Sequence, residues 1–165
     1  MNAKGTAIKF GDNVDTDVIL PGKYLVLTDP KELAEHAMAG LDTAFPEKAE
    51  KGVIVVGGKN FGCGSSREQA PIALKYAGVQ CVLAESFARI FFRNAINIGL
   101  PAIEAKGIAA VVDDGDVLEV DFEAGKVQNV SKKRSIQVNK LPLFIVEILA
   151  DGGLIENLQK RMKKK

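Results

Sequence analysis

Val53-Ile54-Val55-Val56-Gly57-Gly58-Lys59-Asn60-Phe61-Gly62-Cys63-Gly64-Ser65-Ser66-Arg67-Glu68 is the stretch on which the reading of this chain turns. The apolar run 53–57 reads as a buried strand, and a helical pattern from about 67 to 77 follows it, stopping at Gly78. A glycine-rich crossing from strand to helix gathers bare backbone N–H groups and a helix N-terminus, where anions bind well. Ser65 and Ser66 add hydroxyls there, and Arg67 adds a planar fork suited to a carboxylate. The pattern is that of a site holding a carboxylate-bearing molecule beside a serine.

Outward from this crossing, residues 5–10, 80–84 and 102–104 read as further strands, with 11–22 a polar, acidic loop. Helices are predicted over Pro30–Ala39, with Asp29 as N-cap and Gly40 as stop, around 46–50, and from Glu85/Ser86 to about Asn97. The β-α-β-α-β spacing calls for a mixed or parallel sheet with helical crossovers. Residues 117–122, 126–130 and 135–138 read instead as a meander, adding an antiparallel β layer. Helices over 142–149 and about 154–162 close the chain, broken at Asp151-Gly152-Gly153. The expected fold is α/β, with residues 1–165 forming one domain.

The 165 residues are 47% hydrophobic and 26% charged, which fits a globular protein. No apolar run reaches membrane length and no signal-like segment opens the chain, so the expectation is a cytoplasmic protein with no membrane partner. Free thiols are then expected at Cys63 and Cys81. The net charge of +1 is uneven, because the basic tail 160–165 (KRMKKK) holds five cations. A basic tail can touch nucleic acid, but no aromatic residues interleave with it. A solvated helix end, with lysines suited to the helix dipole, is the expected reading, with no nucleic-acid partner.

Ser65-x-x-Glu68 also has the form of a capping box, which would need no function. Pro71 argues against it: with Ser65 as N-cap, the proline would fall where its missing N–H and its ring clash are costly. Serine is a poor base unaided, and His36, the one histidine, lies far from the loop in sequence. An alkoxide at Ser65 would depend on backbone N–H donors and Arg67. Asp12, Asp15 and Asp17 crowd together, but the glycine and distal glutamate of a calcium loop are missing, so no metal site is expected.

Four ordered motifs carry a resemblance. Gly64-Ser65-Ser66-Arg67-Glu68, Ser86-Phe87-Ala88-Arg89-Ile90-Phe91, the segment Gly11–Gly22 with its Asp15-Thr16-Asp17, and Ile98-Gly99-Leu100-Pro101 resemble the swivelling domain of the aconitase superfamily. The likeness covers roughly residues 5–160 and is nearest to the free-standing small subunits of 3-isopropylmalate dehydratases. It implies a swivelling β/β/α fold and a hydro-lyase of leucine biosynthesis, interconverting 2- and 3-isopropylmalate. It implies Ser65 as the base and Ser66 and Arg67 as ligands of a substrate carboxylate, with Gly64 and Cys63 supporting the loop. It sets Thr16 and Asp17 at the active-site edge, Asp17 supporting a histidine of a partner.

The resemblance further implies a [4Fe-4S] cluster, and Cys63 and Cys81 are too few to ligate one. The cluster would come from a large subunit, in a heterodimer or heterotetramer, and this chain alone would be inactive. In relatives that take tricarboxylates, the segment matching Tyr24-Leu25-Val26-Leu27 has arginine at the Val26 position. Here Leu25, Val26 and Leu27 are expected to suit the alkyl group of a small dicarboxylate, with Leu25 free to pack inward as core. Arg89 and Arg93, four apart, share a helix face: a carboxylate-facing pair, a subunit-facing pair, or a solvated face. The alternatives are a small subunit for homoaconitate, citraconate or a methyl-substituted malate, and, in another class, a non-catalytic anion-binding module. The last lacks the lysine of a phosphate loop ahead of the serines.

Overall fold

The computed structural model describes residues 1–163, so the last two lysines of the basic tail lie outside the described residues. A seven-stranded sheet runs through it in the order β4-β3-β2-β1-β5-β6-β7. Strands β1 (Asn2–Lys9), β2 (Val53–Gly57), β3 (Val79–Ala84) and β4 (Ala102–Glu104) are parallel to one another. β5 (Val117–Asp121), β6 (Lys126–Asn129) and β7 (Arg134–Gln137) form the antiparallel meander. β1 joins the two halves, because Thr6 pairs with Val53 on one side and with Val117 on the other. The mixed sheet with its antiparallel portion is the fold class expected.

The pleat divides the core. Val53 and Val55 point into one cluster with Leu20, Leu33, Leu74 and Phe91, beneath the helices. Ile54 and Val56 point into a second, with Cys81, Leu118, Phe122 and Val127. That second cluster draws on β1 to β3 and also on β5 and β6, so the sheet curls over its own meander. Burial on both faces explains why residues 53–56 are apolar without alternation.

The helices are α1 (Thr16–Ile19), α2 (Pro30–Ala34), α3 (Phe45–Ala49), α4 (Gln69–Ala77), α5 (Arg89–Asn97), α6 (Ile108–Val111), α7 (Leu143–Ala150) and α8 (Leu154–Lys163). Several expected boundaries move. β1 begins at Asn2, not residue 5, because Asn2 and Ala3 pair with Asp121 and Val120. Asp29 caps α2 as expected, but the helix stops at Ala34. Beyond it Met38 and Gly40 give their N–H groups to the carbonyls of Ile19 and Val18. α4 begins at Gln69, which puts Pro71 in the first turn, where no N–H is needed. α5 begins at Arg89, not at Glu85/Ser86, because residues 86–88 bond to the glycine loop. α1 and α6 fall where no helix was expected.

Lys75, on α4, sends its Nζ to the carbonyls of Ile98 and Gly152, at 2.5 and 3.0 Å. A cation thus ties together the C-terminal ends of α5 and α7. Burial pushes its pKa down, with Glu156 partly opposing.

Candidate active site at the ends of the parallel strands

β1, β2 and β3 all end on the same side of the sheet, and the segment following each meets the others there. Crevices outside the carboxyl ends of parallel strands are the usual binding places of α/β sheets. The segment after β2 lies in the middle. On one side the N–H of Gly62 reaches Val14 O (2.7 Å), and Thr16 N–H reaches Cys63 O (2.8 Å). On the other, Phe61 exchanges backbone hydrogen bonds with Ser86 and Ala88, and Asn60 N–H reaches Ser86 Oγ at 2.8 Å. Gly62, at φ +79°, is needed here twice over, since a Cβ would also run into the Phe91 ring.

This lacing leaves Ser65 and Ser66 exposed on the rim of a cleft of about 440 Å³. Ser65 caps no helix: Glu68 holds the N-cap position of α4, without a side-chain hydrogen bond. The capping-box alternative is therefore excluded. Thr16, only 2% exposed, donates its hydroxyl to the Ser65 carbonyl at 2.7 Å. Among the described residues, the N–H groups of Gly64, Ser65, Ser66 and Arg67 make no hydrogen bond within the chain.

Arg67 lies behind the serines, with its side chain largely buried. Its Nη1 donates to Asp17 Oδ1 at 2.7 Å and to Leu20 O at 2.9 Å, leaving the other nitrogens of the fork unengaged by the chain. The Arg67 hydrogen bond, with a second from the Gly22 N–H, holds the Asp17 carboxyl below the usual aspartate range. The neighbouring carboxylates are occupied too. Asp12 accepts from Lys59 N–H, and Asp15 caps α1 by accepting from Val18 N–H. No cluster of metal-ligating side chains occurs among the described residues. Cys63 lies on the loop, while Cys81 is fully buried in the second core with its thiol pKa pushed far up by desolvation. That donor set does not fit an iron–sulfur cluster.

The opposite wall of the cleft is the first turn of α5: Arg89, Ile90 and Phe91, then Arg93 and Asn94. Ala88 caps α5 without a side-chain hydrogen bond, so the helix presents free N–H groups to the cleft. The helix end facing the serines is thus that of α5, where the strand-to-helix reading had expected the end of α4. Sequence spacing could not reveal this, because the two segments are brought together by the β2–β3 pairing and by the bonds of Phe61 to Ser86 and Ala88. Leu25 and Leu27 pack against the first core while Val26 stands 83% exposed. Tyr24, beside them, stacks on His36 with ring centroids 3.7 Å apart, which gives the histidine a packing role. Val26 does not line the Ser65 cleft. Its loop starts at Gly22, which a Cβ would bring to 3.7 Å from Arg67 Nη2.

Residues 9–107 match the family model of the aconitase C-terminal domain. The chain belongs to that family. Among relatives of this aconitase C-terminal domain protein is the isopropylmalate/citramalate isomerase small subunit of Methanocaldococcus jannaschii. It is 58% identical over 96% of the chain and 95% of its own length. The 2,3-dimethylmalate dehydratase small subunit of Eubacterium barkeri is 52% identical over 94% of the chain and 95% of its length. The crystal structure of 3-isopropylmalate dehydratase from M. jannaschii superposes with a TM-score of 0.92 at 52% identity, covering 98% of this chain and 96% of that one. No helix among the described residues is long and apolar enough to cross a membrane.

Proposed function

We propose that the chain is the small subunit of a 3-isopropylmalate dehydratase. In this reading it interconverts 2- and 3-isopropylmalate by dehydration and rehydration, within leucine biosynthesis in the cytoplasm. One observation carries the reading: near-full-length identity to proteins named small subunits of enzymes acting on alkyl-substituted malates. The chain would be one half of a lyase. A large subunit would hold the [4Fe-4S] cluster, which supplies Lewis-acid chemistry when bound.

Within this reading the chain's own residues bind, orient and take up a proton. Ser65 Oγ, exposed in the cleft and present as the alkoxide, accepts the proton from the substrate carbon and becomes the neutral hydroxyl. It acts without a histidine, since His36 is occupied with Tyr24. The free N–H groups of residues 64–67 and the Arg67 charge stabilise the negative oxygen. Ser66 and the unengaged nitrogens of Arg67 hold a substrate carboxylate, while the Thr16 hydroxyl fixes the Ser65 backbone and the Asp17 carboxylate fixes Arg67 from behind. Val26 lies outside the lining of the cleft in this chain alone, so it would favour an alkyl group over a third carboxylate only once the large subunit closes over its loop. A methyl-substituted malate is the second reading, favoured by the E. barkeri relative.

The test is anaerobic purification of the chain alone and with a cluster-bearing large subunit, followed by assay on isopropylmalate, citraconate, 2,3-dimethylmalate and homoaconitate. Turnover of isopropylmalate only in the two-chain preparation is expected. Turnover or a stoichiometric iron–sulfur spectrum in the lone chain would overturn the two-subunit reading.

A further inference from the structure

A second concavity, about 510 Å³, runs from the candidate active site between α5, β4 and the start of α7. Phe87, Phe92, Ala102 and Ile103 contribute apolar lining, with Pro142 and Ile145 from the α7 side. Arg89 and Arg93 line both this groove and the Ser65 cleft, so the two hollows share one ridge. We propose that this groove is the docking surface for the large subunit, which enters it with an acidic segment bearing apolar side chains. The inference rests on the two-subunit reading above and adds where the partner sits.

Three observations carry it. Arg89, Arg93 and Lys140 line the groove, and none has an ion pair or side-chain hydrogen bond among the described residues. Glu104, the one carboxylate in the lining, pairs with none of them. A partner face of opposite charge is what such a surface recognises. Second, exposed apolar side chains lie close by: Ile90, 51% exposed, on the cleft side next to Arg89, and Leu143 and Phe144, following the groove residue Pro142 where α7 begins. Arginines interleaved with aromatic and aliphatic side chains are the usual make-up of the energetic centre of an interface. Third, the groove adjoins the cleft across the ridge of Arg89 and Arg93. A body that covers Ser65 and Ser66 with the missing half of the chemistry meets Arg89 and Arg93 next. A small dicarboxylate needs the cleft but has no use for an apolar groove beyond it.

The experiment measures association of the purified small and large subunits by sedimentation velocity over a range of salt, with activity as a separate readout. The variants are Arg89→Glu with Arg93→Glu, and, independently, Phe144→Glu. All three positions are exposed, and a carboxylate at the first position of α5 suits the helix dipole, so the fold should melt as the wild type does. Each variant should weaken association by about tenfold or more, and the double reversal should also flatten its salt dependence. Ser65→Ala should associate normally. Association unchanged in both variants overturns the proposal. Unchanged association with a raised KM in the arginine variant would overturn it in favour of a substrate role for that pair. Failure of the wild-type chains to associate would instead remove the two-subunit reading, and the docking surface with it.

Discussion

The Thr16 hydroxyl donates to the Ser65 carbonyl at 2.7 Å, across 49 residues of sequence. The contact is partly buried, and it fixes the backbone of the residue whose side chain stands free in the cleft. Thr16→Val keeps the shape and deletes the donor. Thermal unfolding should register about 1 kcal/mol of lost stability, since a partly buried hydrogen bond is lost. In the two-subunit enzyme, kcat should fall by roughly tenfold or more because Ser65 is no longer held in register. An unchanged kcat would show that the loop keeps its geometry without this bond.

Ser65→Ala should separate chemistry from stability. The serine caps no helix, so the melting temperature should stay within error of the wild type. Turnover should drop by about 10²–10⁴-fold, the usual cost of losing a base. A loss of melting temperature with turnover intact would return Ser65 to a structural role.

Asp17 should titrate low. Its carboxyl is held charged by Arg67 and, secondarily, by the Gly22 N–H. A depressed carboxylate stabilises the fold above the unfolded aspartate value, about 3.9. That contribution disappears as pH falls through the lower folded value. The contact is largely exposed on the aspartate side and should weaken with salt. Carbon-detected NMR of the side-chain carboxyl should give a midpoint below that of an unstructured aspartate, moving up in Arg67→Ala. A midpoint insensitive to Arg67 would mean the pair does not form in solution.

Val26→Arg should shift preference from isopropylmalate toward a tricarboxylate. Once the large subunit covers this loop, a guanidinium would be desolvated at a loss against an alkyl group and would pair with an extra carboxylate. The ratio of kcat/KM values for isopropylmalate and homoaconitate reports it, and the isopropylmalate value should fall first. Because Val26 is solvent-facing, stability should barely change. Identical isopropylmalate kinetics in wild type and variant would show that this loop does not set specificity.

Much of the architecture could be read from local patterns. The run 53–56 announces a strand buried on both faces, Pro71 pushes the start of α4 past the serines, and Asp29 caps α2 as its position suggests. The failures are tertiary. Nothing near Met38 signals that its N–H goes to Ile19, so α2 ends before its helical pattern does. Ser86 looks like a helix start, yet its hydroxyl and carbonyl are taken by Asn60 and Phe61. At the site, the Ser-Ser-Arg edge was legible. Of the wall opposite, Arg89 and Arg93 were legible as a shared face with open roles, but that this face meets the serines depends on the pairing of β2 with β3 and on the bonds of Phe61 to Ser86 and Ala88. Lys75 reads as an ordinary surface lysine and becomes a clamp only once two helix ends converge on it.

The place of β1 in the sheet bears on how the chain acquires its structure. As the seam between the parallel and antiparallel halves, it is the earliest of these strands to leave the ribosome and the one that waits longest for both neighbours. Thr6 waits for Val53 on one edge and for Val117 on the other. Contacts so distant in sequence slow folding, and in the interval one edge of a nascent strand stays open to foreign pairing. Nascent chains stalled shortly before β5 should therefore be the aggregation-prone and chaperone-dependent species, and release of the meander from the exit tunnel should end that vulnerability.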